Sequence, residues 1–364
     1  MIEYALAFVI INLTLIFKKL KNEKLAKFLT VIIPLTYLFI LMVFRDYSVG
    51  SDVPAYYSKF LKFQNNGFNT TEDYGFHIIL YFFAKTTGSF RLFLVLLYLI
   101  YYVGFGLLLY KYAKNIQVAL LVYSFSTLFQ VSVSGLRQTF GIAFCFFAIY
   151  FFYFNFKSKI LNWSLSIFMW IIGCTMHLCI AFFILFYLLN SIEFNYKKIP
   201  LYTAIFILCS ICCKYLFDFF SLIGNLDYGS SGKFIGFPKV ALLYYAILLA
   251  IVLIEVLSKK SDFISRLISF ENVDKKYYSF QFLALLDILI NSTVTFSVVF
   301  ARFGIIFTIF FLFYFSDFFE CFKNKNLKLL FYISLNIASV IGFYITCVRH
   351  DACNVYPFNW GFGL

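Results

Sequence analysis

Charged residues are scarce in this chain. They make up 13% of its 364 positions, against 63% hydrophobic residues, which excludes an ordinary soluble domain. Nucleotide-binding signatures are missing too. With no GxxxxGK[ST] loop and no GxGxxG turn, chemistry driven by ATP or a dinucleotide on the inner side of a membrane is disfavoured. Internal repeats, low-complexity tracts and a separate soluble domain are also absent. A signal peptide carries its charge before the apolar run. Here the apolar stretch Met1 to Phe17 comes first, and Lys18, Lys19, Lys21, Lys24 and Lys27 follow it. That stretch reads as an uncleaved first span with its N-terminus outside. The nine cysteines lie mostly inside apolar runs as small buried residues (Cys145, Cys174, Cys179, Cys209, Cys212, Cys213), and Cys209, Cys212 and Cys213 have no His or Asp at zinc spacing. Cys347 and Cys353 are the pair that an outer-face disulfide would use, and they are read as thiols.

The net charge of +13 comes from lysines scattered over short loops with no stripe or motif, so nucleic acid is not an expected partner. The 54 Phe and 28 Tyr are read as the compositional bias of a low-GC genome rather than as an aromatic site. The fold class is therefore all-α: a polytopic integral membrane protein, one transmembrane domain over 1–364. With about 20 apolar residues per crossing, about twelve spans are counted. They lie near 2–17, 26–44, 89–110, 116–133, 137–156, 160–174, 176–190, 199–217, 238–257, 278–299, 302–320 and 327–347. The sixth and seventh flank Gly173-Cys174-Thr175-Met176-His177, where one long bent helix is the alternative. Reading two crossings there puts 18 of 24 lysines on the inner side and both termini outside, at the periplasmic face. One crossing would erase that bias.

Two outer segments stand out. The longest, 45–88, includes an expected surface-lying helix from Phe76 to Lys85. The other, 218–237, is rich in Gly and Ser and is a candidate lid.

On this topology lysine and arginine part company. Five of six arginines (Arg45, Arg91, Arg137, Arg302, Arg349) fall on or near the outer face, and only Arg266 lies in an inner loop. Arginine presents a flat fork of donors that fits phosphate and carboxylate oxygens, so an anionic substrate is expected outside. Four groups of residues carry that expectation. In Arg45-Asp46-Tyr47-Ser48-Val49-Gly50-Ser51-Asp52, followed by Tyr56, Gly50 permits a turn that brings Arg45 and Asp52 toward one pocket; a snorkelling arginine beside a solvated loop is the alternative. Arg137 and Gln138 open a helix where a cation opposes the dipole, so Arg137 has another partner. His177 sits at a helix break. Arg302 lies between two spans with no acidic neighbour in sequence, and Asp287 is a distant candidate for it. His77, Arg91, Arg349, His350 and Asp351 are weaker candidates.

An enzyme working outside the cell needs a donor that arrives activated, and a glycan on a polyprenyl diphosphate meets that need. Arginines would stabilise the charge growing on the leaving group, a base would take the acceptor's proton, and neither metal nor cofactor is required. The residues resemble a known family here. Phe44 to Asp52 with Tyr56 looks like the EpsG-type signature, with Gly50-Ser51-Asp52 where Gly-Thr-Asp is usual. Leu136-Arg137-Gln138, His177, Arg302 and the closing Val355-Tyr356-Pro357-Phe358 follow in similar order, although Leu178 stands where Ser or Tyr usually follows the histidine.

The resemblance implies an EpsG-type or Wzy-type polymerase of surface polysaccharide (O-antigen, lipopolysaccharide or capsule) in the bacterial inner membrane. Such a glycosyltransferase moves a growing chain from its polyprenyl (undecaprenyl) diphosphate to the non-reducing end of another lipid-linked repeat unit. Its partners would be that lipid-linked oligosaccharide and membrane lipid, with a chain-length regulator protein as a further candidate. Arg45, Arg137 and Arg302 are assigned to the diphosphate, Asp52 or His177 to the base, and Gly50, Tyr56 and Gln138 to support. A flippase for the same lipid-linked oligosaccharide and an O-antigen ligase are the alternatives.

Overall fold

The structure is a computed structural model describing residues 2–70, 73–154, 158–209, 239–271, 273–292, 302–349 and 354–361. It is all-helical and contains no β-strand among the described residues. All of the expected lid, 218–237, and the ends of the spans expected at 199–217 and 278–299 lie outside them.

Among the described residues six helices are long and apolar enough to cross a bilayer: Glu23–Phe44, Phe90–Tyr112, Lys159–Met176, Ala241–Ser258, Arg302–Glu320 and Lys325–Arg349. Ile116–Phe125 and Thr127–Ser134, bent by 63° at their junction, make a seventh if they form one span. The described chain thus carries six or seven candidate spans where sequence counting expects about twelve. Part of the difference lies in expected spans that run beyond the described residues, and part in apolar runs that break early. The first helix stops at Leu13 and continues as a 3-10 turn, and Leu136–Phe152 has 17 residues, about 25 Å against a core of about 30 Å.

The chain forms two compact units, Met1–Phe183 with Leu330–Leu364, and Ile184–Leu329. The first contains α1 (Ile2–Leu13), α2 (Glu23–Phe44), α3 (Val53–Asn65), α4 (Tyr74–Thr86), α5 (Phe90–Tyr112), α6 (Ile116–Phe125), α7 (Thr127–Ser134), α8 (Leu136–Phe152) and α9 (Lys159–Met176). Several starts are written locally. Asn22, Ser89, Asn115 and Ser158 each accept the amide three residues on, satisfying a helix donor that would otherwise lack a partner. Buried aromatics fill the space between α5, α6 and α8, with Phe105 4.8 Å from Tyr123 and Tyr101 5.3 Å from Phe146.

Small residues set the closest approaches. A Cβ on Gly173 would lie 3.0 Å from the Gly141 carbonyl, so α8 and α9 meet nearly backbone to backbone. Past His177 the chain turns back. Trp170 donates to the Ile180 carbonyl at 3.0 Å, although ten residues of continuous helix would separate them by about 15 Å. The 3-10 segment Leu178–Phe183 therefore runs alongside α9 rather than extending it.

Residues 354–361 return to the end of α2. Gly361 donates to Phe44 at 2.8 Å, Asp46 to Asn359 at 2.7 Å, and Gly50 to Asn354 at 2.8 Å. Arg91 locks this strap. Its guanidinium donates to the carbonyls of Val43 (2.5 Å), Arg45 (2.9 Å) and Gly361 (2.6 Å) and lies 4.7 Å from the Tyr47 ring centroid.

The second unit packs Lys275–Asn291 against Arg302–Glu320 through aromatic pairs such as Phe280 with Phe310 and Tyr277 with Tyr314. Two of its buried acids find partners within the unit. Glu255 accepts from Lys259 and Tyr278, and Asp287 accepts from Asn291 and Thr308.

Arg91→Met keeps most of the side chain's apolar bulk but strands three carbonyls. It is expected to lower stability by on the order of 3 kcal/mol and to make the C-terminal strap the first site of proteolysis. Thermal unfolding and timed proteolysis in detergent check this; an unchanged midpoint with an intact strap would show that Arg91 is not the lock.

Candidate functional site

Three helix ends converge in the first unit around one carboxylate, Asp73. Its Oδ2 accepts from Arg137 Nη1 at 2.7 Å and from His177 Nδ1 at 3.0 Å, while Oδ1 accepts from the Leu178 amide at 3.2 Å. Arg137 also donates through Nε to the Tyr56 hydroxyl, and its guanidinium lies 5.5 Å from that ring's centroid. The cluster is largely enclosed, with side-chain exposures of 23% for Arg137, 11% for His177 and 10% for Asp73.

The local sequence explains the convergence. Arg137 lies one turn before Gly141, and His177 one turn after Gly173. Because α8 and α9 are antiparallel and touch at those glycines, both side chains emerge at the same end. Asp73 precedes α4, and Gly75 lets that helix start close in. A Cβ at Gly75 would stand 2.3 Å from Thr175 Oγ1, two residues before His177. Gly50 does similar work for the neighbouring loop. Its φ of +97° suits glycine, and a Cβ there would fall 2.5 Å from the Val133 carbonyl, just ahead of the Gly135 break that opens α8.

Protonation follows from this arrangement. Burial opposes the charged form of His177, but the hydrogen bonds and charges of Asp73 and Cys179 together outweigh it and push its pKa up to about 9. Burial likewise works against the Asp73 carboxylate, yet the hydrogen bond and charge of His177, with the charge of Arg137, hold it below its ordinary range. Burial pushes the Tyr56 phenol up to about 12, so it stays neutral, accepts from Arg137 and keeps its own proton to donate. At neutral pH the site presents a guanidinium and an imidazolium sharing one carboxylate, an arrangement suited to an anion. No cluster of His, Cys, Asp and Glu is arranged for a metal among the described residues.

The expected site residues divide accordingly. Arg137, His177 and Tyr56 are brought together. Asp52 stands at the N-cap position of α3 without a side-chain cap bond, one turn before Tyr56, and is half-buried, with Ser51 Oγ 3.3 Å from its carboxylate. Gln138 is buried in the first turn of α8. Arg45 is fully enclosed, donating to Tyr98 at 2.9 Å and to Met42 Sδ at 3.3 Å. Tyr98 in turn donates to the Ser132 carbonyl at 2.7 Å. Arg302 is half-buried at the start of its helix in the second unit. Asp73 was not among the sequence candidates. Its one local signal is an acid directly before an apolar helix, with a glycine two residues on.

The raised His177 pKa fixes a pH dependence. Stability from its protonated form is fully present below the ordinary histidine value near 6.5 and is lost as pH rises through about 9. Wild-type protein in detergent is therefore expected to lose on the order of 3 kcal/mol across that window, and His177→Gln to show no such fall. Parallel thermal midpoints for the two proteins across pH 6 to 10 would refute the ion pair.

Comparison with known proteins bears on the same residues. No curated protein and no solved structure matches this chain. A family match covers residues 28–360, from α2 to the strap, and so includes every residue of the cluster. On that match the chain, a multi-pass membrane protein, belongs to the EpsG family.

Proposed function

We propose that this protein is a polysaccharide polymerase that transfers a growing glycan from a polyprenyl diphosphate to the non-reducing end of another lipid-linked repeat unit, at the outer face of the bacterial inner membrane. The observation that carries the proposal is the pairing of Arg137 and protonated His177 on one carboxylate, in a chain whose family points to polysaccharide synthesis.

In this reading the acceptor hydroxyl oxygen attacks the anomeric carbon of the donor sugar. The bond from that carbon to the diphosphate oxygen breaks, and the electron pair leaves with the polyprenyl diphosphate. Arg137 and His177 stabilise the charge that accumulates there, and the Tyr56 hydroxyl adds a neutral donor. Arg302 remains a candidate for a further contact, and Arg45, enclosed against Tyr98, for positioning the site. The acceptor's proton goes to a carboxylate. His177 carries a proton at neutral pH and Asp73 is committed to two cations, so Asp52 is the favoured base.

Arg137→Ala is expected to reduce polymerisation by about 10²- to 10³-fold, and Asp52→Asn to reduce it with little effect on donor binding. Both are read as chain-length ladders from purified protein and lipid-linked repeat unit in proteoliposomes. Full-length ladders from Arg137→Ala would overturn the assignment. Movement of the lipid-linked unit across the bilayer without chain growth would favour a flippase.

A further inference from the structure

We propose that Asp73 is the internal counter-anion of the diphosphate site: its carboxylate holds, on Arg137 and His177, the places that phosphoryl oxygens of the substrate take over. This rests on the reading of Arg137 and His177 as diphosphate donors. Carboxylate and phosphate oxygens are interchangeable to an arginine fork and an imidazolium, and Asp73 Oδ2 already collects a donor from each.

Two features mark the carboxylate as exchangeable rather than fixed. Asp73 stands at the N-cap of α4, where an aspartate ordinarily accepts an amide of its own helix, yet its side chain makes no such cap. Its backbone is left-handed, at φ +45° and ψ +55°, a conformation that side chains other than glycine's adopt at some cost. The residue thus forgoes its local partner to reach two cations and the Leu178 amide. When a diphosphate displaces it, the vacant cap of α4 is a ready second seat, so the carboxylate need not be stranded. Without substrate, the same carboxylate keeps two cations side by side.

Among the described residues, other charged or titratable groups around the cluster are few. Tyr56 faces it from α3 with Asp52 one turn earlier, and Cys179 approaches His177 from the segment beyond it. His77 and Lys59 meet at Thr70, next to α4.

The test uses full-length protein in phosphatidylcholine nanodiscs, titrated with inorganic pyrophosphate at pH 6 and pH 8. Each variant is compared with wild type at the same pH, which cancels the ligand's own ionisation. In Asp73→Asn the competitor is gone, but His177 returns toward its ordinary pKa. Binding is expected to tighten about tenfold at pH 6 and to weaken relative to wild type at pH 8. That crossover is not what a merely structural aspartate would give. Equal or weaker binding by Asp73→Asn at both pH values overturns the inference.

Arg137→Ala separates the two claims. If it binds pyrophosphate as wild type does, the diphosphate reading fails; if it loses binding while Asp73→Asn shows no crossover, only the counter-anion role fails. A measurement on wild type keeps the question open to refutation should Asp73→Asn not fold. With [4-13C]aspartate labelling, pyrophosphate should shift a carboxylate stretch in the infrared difference spectrum, and a spectrum without any aspartate band contradicts displacement.

Discussion

The approach of α8 to α9 at Gly141 and Gly173 is the constraint on which the candidate site depends. Each glycine's missing side chain is the space the other helix's backbone uses, and Ile180 closes the same gap from the returning segment. A bulkier residue at either position would separate the helices and, one turn away, Arg137 from His177. Helix packing in a membrane gains little from hydrophobicity, because lipid is as apolar as leucine, so close backbone approach is what holds such a crossing. The geometry of a polar site is thus set by two residues with no polar side chain.

Much of this was legible in the sequence, and what was missed was missed for a physical reason. The all-helical membrane class followed from apolar run length. Arg137 and His177 were visible because each interrupts an apolar pattern where a helix begins or ends. Asp73 was not. Its partners lie 64 and 104 residues away, and an acid in a polar loop looks solvated until the fold brings α4 against α9. The turn at Gly50 was legible too, but its use was not: it seats the loop against Val133, with Asp52 at the N-cap position of α3 and Arg45 donating to Tyr98.

The arginines that sequence treats as one group occupy different environments. Arg91 spends its donors on three backbone carbonyls, and Arg45 is enclosed against a tyrosine. Arg349 is exposed, and Arg302 belongs to the other unit. Only Arg137 among the first unit's arginines is paired to a carboxylate in the described structure. The tyrosines and phenylalanines divide as well. Most fill the core, as compositional bias would allow, but Tyr56 and Tyr98 each accept from an arginine.

The electrostatics of the three helix ends give the cluster its direction. A negative side chain suits a helix N-terminus and a positive one a C-terminus, so Asp73 before α4 and His177 after α9 both sit in favourable fields. Arg137, in the first turn of α8, does not. Two cations about 4 Å apart repel by roughly 4 kcal/mol at an effective dielectric near 20, so a guanidinium and an imidazolium directed at one point need an anion there. Asp73 supplies it in the resting protein, and only a ligand of at least equal charge density can replace it. A diphosphate meets that demand, whereas a neutral sugar hydroxyl does not. The cluster is therefore suited to the charged end of a lipid-linked glycan, and the acceptor sugar belongs on the Asp52 side.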